Sequence, residues 1–233
     1  VLTLGIDGCR AGWLYVARNI ENGECNAGIL PRIDGLLALD PAPVAVAIDI
    51  PIGLTDSGPR LCDLEARKVL GRPRSSSVFP APVRRILGAA TYAEACAVGR
   101  AVDGRAINRE TWNIIPKIRE VDRFLRAHPE NRGMTHETHP ELCFWRWNGS
   151  KGMSHAKKTP MGRAEREELV VSVFGAGVEA AREGLPRGGW ASDDLLDAFA
   201  TLWTAIRILA GTHVTLPTPP PVDRRGLRME IVS

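Results

Sequence analysis

The sequence has no long hydrophobic run. Its most continuous apolar stretch, around residues 44–50, falls well short of the ~18–20 residues a membrane-crossing helix requires. No membrane association is therefore expected. The opening Val1-Leu2-Thr3-Leu4 has no basic head, and no small-residue cleavage site follows it. No secretory signal peptide is expected, and the predicted location is cytoplasmic. Cysteine is sparse and odd in number: five residues, Cys9, Cys25, Cys62, Cys96 and Cys143, none at CxxC spacing. That excludes a zinc ribbon and a disulfide framework, and leaves reduced thiols as the expectation. An excess of one charge is also missing. The 30 basic and 27 acidic residues leave a net charge of +3, short of what a strongly basic nucleic-acid-binding domain carries. Internal repeats and low-complexity tracts are absent, and the composition excludes a disordered, collagen-like or coiled-coil chain.

What is present is ordinary globular material, with 44% apolar and 24% charged residues in a chain of 233. A chain of this length buries about 70% of its unfolded surface and needs neither disulfides nor a metal to fold. A single domain over residues 1–233 is expected, with a helical insertion around residues 52–130.

Local pattern predicts the elements. Residues 2–7 and 13–18 read as strands around a turn, and Asn22-Gly23 is a hairpin signal leading to a third strand over residues 24–29. A short helix is expected over residues 33–39. The apolar run at 44–50, bracketed by Pro43 and Pro51, reads as a strand buried on both faces in a parallel part of a sheet. Helices are expected over 61–70, after the Thr91-x-x-Glu94 capping box, over 112–127, over 162–183 with a bend near Gly175 and Gly177, and over 192–210 with Ser192 as N-cap. Residues 134–138, 214–216 and 227–232 read as short strands, and residues 141–147 as an aromatic-rich segment. An antiparallel three-stranded meander, then parallel strands, all covered by helices, is an α/β mixed sheet of ribonuclease H-like type.

Carboxylates give that pattern chemical content. Asp7 ends one apolar strand and Asp49 sits inside another, where an unpaired carboxylate is expensive unless a cation meets it. Asp194 and Asp197 lie three apart on the face of one late helix. Acids at a helix start also stabilise its dipole, and that accounts for Asp193. Two strand-borne acids and a helical pair form a candidate site for Mg²⁺ or Mn²⁺, two ions in the expected arrangement. Such a pair activates a water and stabilises the departing oxygen of a phosphodiester, so no protein nucleophile is needed.

A second dense cluster is His136-Glu137-Thr138-His139-Pro140-Glu141. It is not the HExxH zinc motif, because its histidines are three apart. Glu137 or Glu141 is a candidate further ligand, and His136 or His139 a candidate proton shuttle.

The segments Gly5-Ile6-Asp7-Gly8-Cys9-Arg10, Ile48-Asp49-Ile50-Pro51, Arg60-x-Cys62-Asp63, the stretch from Ser77 to Arg84, Glu137-x-His139-Pro140-Glu141, Lys157-Lys158-Thr159 and Asp193-Asp194-x-x-Asp197 occur in order over nearly the whole chain. Together they resemble the prokaryotic family called domain of unknown function 429. The resemblance implies a ribonuclease H-like nuclease with its acidic positions at Asp7, Asp49, Glu137 or Glu141, and Asp194 or Asp197.

Arg10, Arg60, Arg67, Arg84, Lys157 and Lys158 recur beside these motifs and are the candidate substrate-binding residues, since arginine grips phosphate through paired hydrogen bonds. Trp13, Trp112, Phe144, Trp145 and Trp147 are candidates for stacking bases. The expected partner is a nucleic acid, RNA or DNA. The small net charge favours a short, structured or single-stranded one. Two other readings stay open. Asp7-Gly8 after a strand also resembles the phosphate loop of actin-like kinases and ATPases, for which a homodimer would supply the second lobe. A non-catalytic module binding a nucleotide or small ligand would keep the same fold.

Overall fold

A computed structural model describes residues 1–233. In chain order the elements are β1 (Leu2–Cys9), β2 (Gly12–Asn19), β3 (Cys25–Leu30), β4 (Pro43–Ile48), α1 (Leu61–Leu70), α2 (Tyr92–Asp103), α3 (Arg109–Ala127), β5 (Thr135–Glu137), α4 (Pro140–Trp147), α5 (Pro160–Phe174), α6 (Gly177–Gly184), α7 (Ser192–Leu209), β6 (Thr215–Leu216) and β7 (Ile231–Val232). Two compact units divide the chain. Val1–Asp49, Gly133–Val214 and Val232–Ser233 form the first, and Ile50–Arg132 with Thr215–Ile231 the second.

The first unit is built on a five-stranded mixed sheet of order β3-β2-β1-β4-β5. The meander forms as expected. β1 pairs antiparallel with β2 from Leu2↔Asn19 to Cys9↔Gly12, across the two-residue turn Arg10-Ala11. Asn22-Gly23 turns the chain into β3, with Gly23 at φ 76 and the Asn22 side chain accepting from the Glu24 amide at 3.0 Å. β4 runs parallel to β1 and β5 parallel to β4, with Ile6↔Ile48 and Ile48↔Glu137 in register. The predicted helix over 33–39 is instead a 3-10 turn, Ile33–Ala38.

α7 packs along β1 and governs the core. Leu195, Ala198, Phe199, Leu202 and Ala205 are buried, together with Leu14, Val16, Phe144 and Phe174. The contact is close because Gly5 has no side chain: a Cβ there would lie 2.0 Å from the Leu202 nitrogen and 2.2 Å from the Ala198 oxygen. Ser192 is not the N-cap. Ala191 stands there, and Asp194 reaches back to accept from its amide at 2.8 Å. The single helix expected over 162–183 is two, α5 and α6, because Gly175 at φ 52 takes a left-handed conformation that ends the first.

The second unit carries three helices. α2 begins at the Thr91 cap, whose hydroxyl accepts from the Glu94 amide at 3.2 Å. α3 starts three residues before the expected position, because Asn108 accepts from the Thr111 amide at 2.7 Å and caps it. Arg60 is buried in an ion pair with Asp63 at 2.5 Å, and Arg84 bridges Asp122 and Asp223. No helix in the chain is long and apolar enough to cross a membrane.

Candidate active site

Parallel register brings the first two acids together. Ile6 and Ile48 are partners and the Asp49 amide donates to the Ile6 carbonyl at 3.0 Å, so Asp7 and Asp49 leave adjacent strands at the same level. Neighbouring strands lie about 4.8 Å apart, which sets two carboxylates side by side. The face is known from Gly5, which touches α7: alternation puts Asp7 on that face, and register puts Asp49 there too. α7 then lowers Asp197, 3% exposed, onto the same edge.

The charges interact strongly. Burial pushes the Asp7 carboxyl well above the usual carboxylate range, with repulsion from Asp49, Asp197 and Asp194 adding to it. Burial raises Asp49 to about 6, opposed by His139 and Lys157. Asp197 is raised by burial despite Lys157 beside it, and Asp194 is raised for the same primary reason. Of the helical pair, Asp197 faces the strand acids most directly, whereas one oxygen of Asp194 holds the start of its own helix.

Lys157 and His139 meet these acids. The Lys157 ammonium donates to Asp197 at 2.7 Å, and that pairing lifts its pKa above the usual lysine value although burial works against it. His139, the residue just before α4, acts electrostatically on both Asp49 and Asp197. His136 lies elsewhere, with its ring 6.4 Å from that of His213.

The remaining expected acids have other placements. Glu137 is the register partner of Ile48, and alternation turns that level to the opposite face of the sheet from Asp49. Glu141 is buried and gives both oxygens to Arg166, at 3.1 and 2.8 Å. Arg166 passes the link on: its other terminal nitrogen donates to the His155 carbonyl at 3.2 Å and the Gly162 carbonyl at 2.9 Å. Glu165 holds the Ser154 and His155 amides at 2.7 and 3.1 Å. The segment carrying Lys157 is thus clamped onto α5. Glu141 supports the site through this chain of bonds, in place of the ligand role expected for it. Sequence reasoning missed the clamp, because nothing in the spacing couples Glu141 to a residue 25 positions on.

Among the basic candidates, Arg10 is exposed on the β1–β2 turn, three residues beyond Asp7, and Lys158 is exposed beside Lys157. Arg60, Arg67 and Arg84 belong to the second unit and are held there by Asp63, by the Val78 carbonyl at 2.6 Å, and by Asp122 and Asp223 respectively. Most aromatic candidates are packed. Trp13 and Phe144 are fully buried, Trp147 stacks on Trp203 at 5.2 Å, and Trp112 tilts against Tyr92. Trp145 is half-buried, with the Arg146 guanidinium 5.2 Å from its ring centroid. All five cysteines are free and buried, and burial lifts the Cys143 thiol to about 11.

The donor chemistry suits a hard divalent cation, since Asp7, Asp49 and Asp197 offer carboxylate oxygens alone. The spacing is less complete. No three carboxylate, imidazole or thiol groups stand close enough, as placed, to hold one ion. Asp7 and Asp49 are the pair that would carry it, and Lys157 already occupies one oxygen of Asp197.

A family model described as a protein of unknown function (DUF429) matches residues 5–222. No curated protein and no solved structure matches the chain.

Proposed function

Starting from a chain that belongs to the family described as a protein of unknown function (DUF429), we propose that it is a ribonuclease H-like, divalent-cation-dependent nuclease that hydrolyses phosphodiester bonds. One observation carries the reading: three aspartates, Asp7 and Asp197 buried and Asp49 half-buried, meet at the C-terminal ends of β1 and β4 with fewer positive charges than negative ones. Buried carboxylates in such excess destabilise a fold unless something else is gained. The sheet order β3-β2-β1-β4-β5, with only β2 antiparallel to its neighbours, supports the ribonuclease H-like reading.

Asp7 and Asp49 would hold Mg²⁺ or Mn²⁺, which when bound lowers the pKa of a water and polarises a phosphoryl oxygen. Asp197 sits opposite them on α7 and would accept a hydrogen bond from the attacking water. Lys157, held on its clamped segment, would donate to a phosphoryl oxygen once released from Asp197. His139 faces Asp49 and Asp197 and would deliver a proton from a ring nitrogen to the departing alkoxide. Arg10 on the adjacent turn would meet a neighbouring phosphate. An actin-like phosphotransferase would need a second lobe, and the chain supplies one five-stranded sheet.

The test is cleavage of labelled single-stranded RNA and DNA in Mg²⁺ or Mn²⁺. Wild-type protein should cut at least one of them, and Asp49→Asn should not, while circular dichroism shows both folded. If the folded wild type cleaves neither those strands nor an activated phosphodiester in any divalent ion, the proposal is overturned.

A further inference from the structure

The second unit contains a concavity with an unusual charge balance. A concavity of about 240 Å³ is lined by Arg84, Arg119, Asp122, Arg123, Arg126 and Arg225. Four of these six residues come from one turn pattern: Arg119, Asp122, Arg123 and Arg126 fall at i, i+3, i+4 and i+7 of α3, and so share a face. Like charges at that spacing oppose helix formation, so the arrangement works against the stability of α3. Two carboxylates answer the five guanidiniums. Arg84 spans both, donating to Asp122 at 2.7 Å and to Asp223, and Arg126 approaches Asp122 at 3.5 Å.

The arginines divide into anchors and free donors. Arg119 is fixed by its bonds to the Leu87 carbonyl at 2.6 Å and the Ala89 carbonyl. Arg84 is half-buried and held at its terminal nitrogens, yet its Nε is buried with no hydrogen-bond partner. A buried donor left without a partner is costly. Arg123 and Arg225 are exposed, and no carboxylate lies within ion-pair distance of either. We propose that this cavity is a binding site for a compact polyphosphate anion, a pyrophosphate or triphosphate group either free or as the tail of a nucleotide. The anchored Arg84 and Arg119 would preorganise it, and Arg123 and Arg225 would close on the anion. The concavity is open to solvent, and its volume of about 240 Å³ suits two or three linked phosphates. Guanidinium forks match phosphate oxygens in pairs. The site is independent of the proposed nuclease chemistry, since no acidic ligand of that chemistry contributes to it.

The test is calorimetric titration of the full chain with sodium tripolyphosphate, a nucleoside triphosphate, inorganic phosphate and a ten-residue single-stranded oligonucleotide, all in EDTA so that no divalent ion bridges protein and anion. Wild type should bind tripolyphosphate, and more tightly than inorganic phosphate. Equal affinity for the nucleoside triphosphate would mark a nucleotide tail as ligand, and weaker affinity a free polyphosphate. Arg123→Ala/Arg225→Ala should weaken binding by about tenfold or more, the scale of one charge-assisted hydrogen bond. Both residues are exposed, so the double variant should keep its circular dichroism spectrum. Arg100→Ala, an exposed arginine outside the cavity, and Asp49→Asn should bind as wild type does. The proposal is overturned if wild type does not bind tripolyphosphate at millimolar concentration. It is likewise overturned if the double variant binds it unchanged, or if the oligonucleotide alone is bound through Arg123 and Arg225.

Discussion

Replacing Asp49 by asparagine should make the protein more stable at neutral pH. The Asp49 carboxyl is lifted to about 6 by burial, against an ordinary value of 3.8. A shift of that size corresponds to about 3 kcal/mol between its two protonation states. The sign follows from which state binds the proton more tightly. A raised carboxyl pKa means that the folded protein does, so the stabilising contribution is present at low pH and is lost as pH rises through about 6. Between pH 4.5 and 7 this one group should remove about 2 kcal/mol from the folding free energy. The substituted asparagine carries no charge, so the variant should gain about 3 kcal/mol over wild type at pH 7 and about 1 kcal/mol at pH 4.5. Urea unfolding in EDTA at the two pH values measures it directly. Equal stability of the two proteins at pH 7, or a gain independent of pH, would refute the claim that Asp49 is held ionised against its surroundings.

Glu141→Gln leaves the Arg166 guanidinium buried without its carboxylate, and urea unfolding should report a loss of about 3–5 kcal/mol. Gly5→Ala forces a methyl group into the α7 backbone, where no side chain can yield, so a loss above about 3 kcal/mol and a depleted helical signal are expected. Lys157→Met frees the Asp197 oxygen that the ammonium now holds, and manganese affinity by calorimetry should rise. An unchanged or weaker affinity would show that the lysine does not compete with a cation.

How much of this was legible beforehand differs by element. The meander, the parallel placement of β4 and the helix α7 were readable because each carries its own signal: alternation, the Asn22-Gly23 turn, an apolar run between prolines, a long buried helix. The ends of helices were less so, since Asn108 and Asp194 cap from positions that pattern alone does not single out. In the site, Asp7 and Asp49 could be paired from the sequence, because carboxylates on buried strands demand company. Glu137 could not be excluded without register, as a one-residue change of level reverses the face it occupies. The engagement of Glu141 by Arg166, and of Asp197 by Lys157, joins residues 25 and 40 positions apart through tertiary packing. The arginine cavity likewise needed the fold to bring Arg225 to the face of α3.

The most direct measurement is a calorimetric titration of Mn²⁺ into wild type, Asp7→Asn and Asp49→Asn, each with and without a single-stranded oligonucleotide. Saturable binding by wild type that both variants lose is the predicted result. A wild-type protein that takes up no ion under either condition would contradict the account.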